Sequence, residues 1–595
     1  MDKNSTYLEK SDLGVTEDEH VPRQSDYETP IPSRSHSYAS SSSVRGSLDR
    51  ASTFMDLENG LSRATTRDLE RHPTALSRIA TQRSQYVETV GGGPRLRPVK
   101  TPLPAFGAGK PFPPPLPERE EYVVEFDGPD DPLHPQNWTM KRKIFTAIIL
   151  AWTTFTSSLT SSIYSTAIAD VSKVFGVSNL VGTLGLSFFI LGYATGPILW
   201  APLSELQGRR MPILISTFGF TVFCFGLAAA KDLQTVMICR FFSGLFGACP
   251  LAVVAAVFSD MFDNRLRGLA ITPYSMTVFT APLLAPFIGG FIMESSLGWR
   301  WTSYLPALMG VVALILNFLF LKETYPPVVL IQKAAELRRR TKNWGIHAKQ
   351  EEIEVDFREL VERNFSRPIK LLFTEPIVLL LSIYMSFIYG LLYLFLTAYP
   401  IVFQRIHGMG QAVGGLPYFG MILGQLIGGL TIILSQPWYA RKLAANNNVP
   451  VPEWRLPHVV AGGISFSIGL FWFGWTGYTA EIHWIVPTLS GLLTGFGLLV
   501  IFLQSLNYII DAYLLFAASA VAANALLRSL AAAAFPLFAT YMFEGLGVNW
   551  TGTLLGCLAA VLAPIPVIFY LYGHRIRAKS KFSAKIAHEV ESEAL

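Results

Sequence analysis

Residues 181–202 read VGTLGLSFFILGYATGPILWAP and carry no charge from end to end. At 1.5 Å of rise per residue such a run makes a helix of roughly 30 Å, the thickness of the hydrocarbon core of a bilayer. Eleven further apolar runs of similar length are found, two of them with one arginine inside: 144–165, 211–230, 235–258, 268–292, 302–321, 376–399, 412–435, 458–478, 485–507, 516–541 and 551–572. Unpaired backbone groups are too costly in lipid for any spanning structure but a helix or a closed barrel. Continuous apolar runs exclude the alternating pattern of a barrel. The reading is an all-α membrane protein with twelve transmembrane helices and the lipid bilayer as its surroundings.

Composition agrees. Half of the 595 residues are apolar, only 15% are charged, and mean hydropathy is +0.36. Soluble domains carry about 25% charged residues. The deficit excludes a soluble globular enzyme, a disordered regulator and a fibre. The net charge of +5 implies no nucleic-acid partner, because basic residues in a membrane chain serve first to orient its loops. Lys141, Arg142, Lys143, Arg209, Arg210, Arg265, Arg267, Arg441, Lys442, Arg455, Arg575 and Arg577 fall on one side, against Lys173, Lys231, Arg300 and Arg405 on the other. By the positive-inside bias both termini are expected in the cytosol. Trp138, Trp200, Trp299, Trp301, Trp484 and Trp550 fit interfacial belt positions.

The spans form two groups of six around one long polar loop, which is the plan of many secondary transporters. The expected divisions are a disordered cytoplasmic tail over 1–130, a six-helix half over 131–321, a central cytoplasmic loop over 322–370, a second half over 371–573 and a cytoplasmic tail over 574–595. The first tail is rich in Ser, Arg and Pro. Its Arg50-Ala51-Ser52 and Arg83-Ser84 stretches are candidate sites for a kinase partner. No signal peptide is read there. Asn549-Trp550-Thr551 is a glycosylation sequon so close to the membrane that it is expected to be unused. Cys224, Cys239, Cys249 and Cys557 read as buried hydrophobes, with no metal site.

Charged and polar residues inside or beside the spans are the functional candidates. The loop Ala201-Pro202-Leu203-Ser204-Glu205-Leu206-Gln207-Gly208-Arg209-Arg210 places an acid and a base four residues apart with a turn-forming glycine between them. Arg240 and Asp260 belong to the fourth run and, twenty residues apart, lie roughly 30 Å from each other on one helix. They cannot pair together. Asp260 falls on the same membrane face as Glu205 and Arg209, and these three are expected to form a gating charge cluster. The fifth run holds Pro282, Pro286, Gly289 and Gly290, small and bending residues that allow close helix approach. Candidates for substrate contact are Tyr384, Tyr389, Tyr393 and Thr397 of the seventh run, Gln504 and Asn507 of the tenth, and Asn524 and Arg528 of the eleventh. Tyr389 and Tyr393 share a helix face. Arg528 sits near mid-span, where an unpaired charge is costly; Asp511 is a candidate partner only if its helix starts late.

The 201–210 loop resembles the signature G-x-x-x-D-[RK]-x-G-R-[RK] of the major facilitator superfamily, with Gly208, Arg209 and Arg210 in place, Glu205 for the Asp, Ala201 for the first Gly and Leu206 for the first basic residue. Arg240 to Gly244 resembles the fourth-helix R-x-x-x-G of the drug:proton antiporters, which implies a role for Arg240 in proton coupling. Ala285-Pro286-Phe287-Ile288-Gly289-Gly290 is similar to the antiporter signature G-P-x-x-G-G, associated with export. Asp131-Pro132-Leu133-His134-Pro135-Gln136-Asn137-Trp138, Glu323-Thr324-Tyr325-Pro326-Pro327, Pro452-Glu453-Trp454-Arg455-Leu456, Asn507-Tyr508-Ile509-Ile510-Asp511-Ala512-Tyr513 and Phe535-Pro536-Leu537-Phe538 together resemble the fungal twelve-spanner drug:proton antiporters, over about 125–580. The resemblance implies a plasma-membrane exporter of small amphipathic compounds that needs no cofactor and is driven by the proton gradient. The residues leave two alternatives: a narrow-substrate exporter of a secondary metabolite or a polyamine, and a nutrient sensor on the same scaffold that does not transport. Few acidic residues are available for a polyamine. No phosphate-binding loop motif is present, which speaks against ATP hydrolysis by this chain. No catalytic cluster is read, so an enzyme is not expected.

Overall fold

The computed structural model describes residues 122–128, 130–352, 357–446, 451–513 and 517–580. Both candidate phosphorylation stretches lie outside the described residues. Among the described residues no strand forms, and a single isolated bridge joins Val123 to His347. The first ten spans are Met140–Ile163, Asn179–Leu206, Arg210–Ala228, Leu233–Met261, Asn264–Glu294, Trp301–Phe320, Pro376–Tyr399, Tyr418–Ala445, Leu456–Thr476 and Ile485–Ala512. They match the apolar runs, with ends set by ordinary signals: Ser178, Asp232 and Asp263 cap the second, fourth and fifth with side-chain oxygens.

The last apolar stretch, Ser519–Arg577, is continuous over 59 residues, roughly 90 Å if straight and far too long for one crossing. It breaks at Gly547, whose φ of +76° is open mainly to glycine. Side-chain contacts give the two arms opposite directions. Asn524 bonds Ser382, Phe535 packs on Gly390 and Glu544 pairs with Arg405, so the first arm runs parallel to the seventh span. Gly552 lies against Gly474, Gly556 against Phe471 and Gly573 against Glu453, so the second arm runs antiparallel to the ninth. The seventh and ninth spans are themselves parallel, since Tyr384 lies by Gly463 and Phe395 by Phe473. The reversal at Gly547 therefore makes twelve crossings.

Without a hydrophobic drive between helices in lipid, close packing depends on small residues. Between the second and fourth spans, a Cβ on Gly244 would sit 2.0 Å from the Phe189 carbonyl oxygen, and one on Gly192 2.3 Å from that of Phe241. The eighth and tenth spans repeat the arrangement: a Cβ on Gly424 would lie 2.2 Å from the Leu492 carbonyl oxygen, and one on Gly495 2.0 Å from that of Met421. The two six-helix groups meet through Ser187 donating to the Ala533 carbonyl at 2.7 Å, Thr280 donating to Gln425 at 3.2 Å, and the Ala412 N–H donating to Glu294 at 2.9 Å.

The segments before the first span and between the halves share one membrane face, called here the terminal face. The long loop is itself partly helical, with Pro326–Thr341 and Phe357–Thr374. Residues 122–128, 130 and 131 dock on it, against the expectation of disorder through 130. The Val124 N–H donates to the His347 carbonyl at 2.8 Å, the His347 N–H donates to that of Tyr122 at 3.0 Å, and Lys333 lies 3.0 Å from Asp127 and 3.7 Å from Asp131. N–H groups of Asp127 and Leu133, with Lys333 nearby, hold the Asp131 carboxyl below the usual carboxylate range. Cys224, Cys239 and Cys249 are buried thiols; Cys557 is exposed on the bundle surface, which corrects its sequence reading.

Candidate functional site

Arg240 enters the bundle two turns along the fourth span and is 1% exposed. Its Nε donates to the Gly185 carbonyl at 2.9 Å, Nη1 to that of Thr160 at 3.0 Å and Nη2 to that of Ser161 at 3.4 Å. The guanidinium lies 4.6 Å from the ring centre of Tyr164 and 4.5 Å from that of Phe189. Gly185 makes this possible, because a Cβ there would stand 2.7 Å from the Tyr164 ring. No carboxylate pairs with Arg240 among the described residues. Carbonyl dipoles and two π faces stabilise the charge instead.

The second expected constellation forms at the terminal face. Arg209 Nε lies 3.1 Å from Asp260 Oδ2, its Nη1 donates to Ser204 at 2.8 Å, and its guanidinium stacks 4.6 Å from the Tyr325 ring centre. Burial, the leading influence, pushes the Tyr325 hydroxyl up in pKa, and the Glu205 and Asp260 charges act on it as well. The backbone carbonyl of Glu205 accepts from Gln350 at 3.4 Å. The sequence reading missed Glu323 as a cluster member. Its carboxylate accepts the backbone N–H groups of Arg209 at 2.8 Å, Arg210 at 3.1 Å, and Thr324 and Tyr325 at 2.9 Å each. Gly208, at φ +86°, allows this: a Cβ there would fall 2.4 Å from a Glu323 carboxylate oxygen. The signal was present in Glu323-Thr324-Tyr325-Pro326, an acid at a helix end beside a helix-starting proline, but its partner lies over a hundred residues away in sequence.

The second half carries a counterpart. Arg455 Nε lies 3.0 Å from Asp511 Oδ2, its guanidinium stacks 3.9 Å from the Tyr439 ring centre, and Glu453 pairs with Arg577. Asp511 is therefore the partner of Arg455, not of Arg528.

Between the halves, rings from three spans converge: Phe279 of the fifth, Tyr389 and Tyr393 of the seventh, and Phe502 of the tenth. Ring centres are 4.5 Å apart for Phe279 and Phe502, 5.3 Å for Tyr389 and Tyr393, and 6.2 Å for Tyr389 and Phe279. Tyr393 donates to Ser161 of the first span at 3.0 Å. Arg528 of the eleventh span completes the group, its guanidinium 4.7 Å from the Phe502 ring centre and 5.1 Å from that of Tyr389. Asn524, one turn earlier, donates to Ser382 at 3.2 Å. The other candidates part from this layer. Tyr384 turns toward Gly463 on the ninth span, and Gln504 lines a small crevice with Tyr439, Arg455 and His458. Asn507 is half-buried, one turn nearer the terminal face than Gln504.

Toward the opposite face a cleft of about 270 Å³ separates the halves, lined among others by Thr166, Thr183, Pro286, Thr397, Gln404 and Gln411. The fifth-span motif borders it. Pro286 lines the cleft, Pro282 is buried in an unbroken helix, Gly289 meets Thr166 just beyond the first span, and Gly290 meets the backbone of Gln411 across the halves.

Twelve spans in two similar halves, a charge cluster at the end of each half and a polar-aromatic layer between them define a membrane carrier of the secondary-transporter type. Residues 150–536 match the family model of the Major Facilitator Superfamily. The chain is 48% identical over 484 residues to the major facilitator superfamily multidrug transporter FLU1 of Candida albicans, covering 81% of this chain and 79% of that one. It is 47% identical over 524 residues to the multidrug transporter TPO1_2 of Candida glabrata, covering 86% and 90%. The solved proton:xylose symporter XylE, bound to 6-bromo-6-deoxy-D-glucose, shares the fold with a TM-score of 0.54 at 15% identity, over 73% of this chain and 96% of that one. The chain belongs to the major facilitator superfamily, as a multi-pass membrane transporter related to the fungal multidrug transporters.

Proposed function

We propose that this chain exports small amphipathic compounds across the plasma membrane in exchange for protons, with its terminal face in the cytosol. The names of its relatives and the charge bias of its loops support this reading. The observation that carries it is the layer of Phe279, Tyr389, Tyr393, Phe502 and Arg528, drawn from both halves and from four spans. Amphipathic rings hold varied apolar and charged ligands by stacking, without demanding one shape. A hinge between the halves would expose this layer first to one face and then to the other. Arg209 with Asp260 and Arg455 with Asp511 would each brace the cytosolic end of its own half, while Glu294 on the Ala412 N–H and Gly290 on Gln411, which join the halves, would hold the outer end closed in one state. Arg240 would serve proton coupling by fixing the first, second and fourth spans around one buried charge. The tail before residue 122 is the segment on which a kinase would act.

The test is expression in cells stripped of efflux pumps, with azole and dye accumulation measured with and without a protonophore. Lower accumulation that the protonophore reverses is the expected result. Accumulation equal to that of cells lacking the chain would remove the exporter reading. Deletion of residues 1–120 is expected to leave flux intact, whereas a sensor on this scaffold would lose its response.

A further inference from the structure

Several arginines of the bundle are neutralised by what surrounds them; Arg210 and Arg267, at the terminal face, also leave a buried Nε without an acceptor. Arg209, Arg405, Arg455 and Arg577 have carboxylates, and Arg240 has three carbonyls. Arg528 differs. Its guanidinium makes no hydrogen bond or ion pair among the described residues, and its buried Nε is left without an acceptor. The side chain is half-buried, level with Tyr389 of the seventh span, about thirteen residues or roughly 20 Å inward from the terminal end of that helix. The ionisable groups that act on it are the hydroxyls of Tyr389, Tyr393 and Tyr274, with no carboxylate among them. Two aromatic faces flank it.

An unneutralised cation at this depth is costly, and such groups mark ligand pathways. Guanidinium is also the side chain best matched to a carboxylate, which it binds through two parallel hydrogen bonds. We infer that Arg528 is a specificity-determining residue that accepts the anionic group of the cargo, so that the preferred substrates are small aromatic or amphipathic organic acids in their ionised form. The ring of such an acid would lie among Phe279, Tyr389 and Phe502 while its carboxylate meets the free Nε and Nη groups. The inference rests on the exporter reading above and narrows its substrate class. It runs against a polyamine cargo, since a polycation would meet a bare positive charge in this layer.

The experiment uses two dyes on one xanthene scaffold, anionic fluorescein and cationic rhodamine 6G, in pump-deficient cells expressing the full chain, with surface amounts matched by labelling. The wild-type chain is expected to export fluorescein. Arg528→Gln is expected to lower the ratio of fluorescein to rhodamine efflux at least about tenfold, as loss of a charge-assisted contact implies, and Arg528→Lys is expected to recover part of it. An unchanged ratio in Arg528→Gln overturns the inference. A second arm needs no variant: an excess of an aromatic carboxylate should compete with fluorescein efflux by the wild-type chain, and a neutral amide of the same acid should not. Equal competition by both also overturns it. Wild-type export of rhodamine without fluorescein refutes the anion preference and leaves the exporter reading standing; export of neither dye removes both.

Discussion

Two arginines lie deep in this bundle, one in each half, and their surroundings are opposite. Arg240 is closed off, with carbonyls from two neighbouring spans and two rings around it. Arg528 is half-buried, flanked by rings and left without an acceptor. On the proposed reading the first is an internal tie and the second receives the cargo. A buried charge is thus no single kind of evidence: what its donors meet separates a structural cation from a binding one.

The largest expected effect that would break this contrast comes from Arg240→Ala. It removes the tie between the first, second and fourth spans, and proton-dependent efflux should fall to background while the chain still reaches the surface. Unchanged efflux would take Arg240 out of the mechanism. Thermal unfolding in detergent sharpens the comparison. Arg240→Ala should lower the midpoint through loss of several charge-assisted hydrogen bonds, roughly 3 kcal/mol or more together. Arg528→Ala should leave the midpoint unchanged or raise it, because an unpaired charge is removed. Equal losses in both would erase the distinction.

Smaller effects are expected from the paired clusters. Asp260→Asn leaves Arg209 without its carboxylate, and Asp511→Asn does the same to Arg455. Each should reduce efflux several-fold, because both partners of each pair are largely shielded from solvent and the arginine is left uncompensated. Glu323→Gln should be the more severe change at this face, because four backbone N–H groups converge on that carboxylate. Comparing the three variants at matched surface level would test that order. The smallest effect concerns Asp131. Its folded-state pKa is depressed, so its contribution to docking of residues 122–131 is present above the ordinary carboxylate range and is lost as pH falls through the folded value. Proteolysis of this segment should therefore accelerate only in strongly acidic buffer and should be insensitive to pH near neutrality.

Much of this was legible in the sequence for a physical reason. Apolar runs of helical length have few other readings, so every span was found, though ends differ, by as much as ten residues at the eighth, where the helix is Tyr418–Ala445. Tyr389 and Tyr393, four apart, do share a face, and Arg209 does meet Asp260. What was hidden depends on long-range partners. Glu323 closes on a loop more than a hundred residues away, and nothing local to either segment announces it. Gln504 and Tyr384 look like cavity residues on a helical wheel, yet their helices turn them toward the eighth and ninth spans. The docking of 122–128 rests on a two-bond bridge to His347 and on Lys333, too few contacts to appear as a pattern. Arg528 was found by its depth, but only the missing acceptor gives that depth a meaning.

The central claim is that the halves hinge about the aromatic layer, so that the cleft at Thr397 opens to the outer face when the contacts joining the halves there part. Thr397→Cys, placed in a chain whose exposed Cys557 is changed to Ser, can be titrated from outside with a membrane-impermeant maleimide, with and without Glu294→Ala. Removing the Glu294 bond to the Ala412 N–H should favour the state open at the outer end and speed the labelling several-fold. The same labelling rate with and without Glu294→Ala would contradict the account.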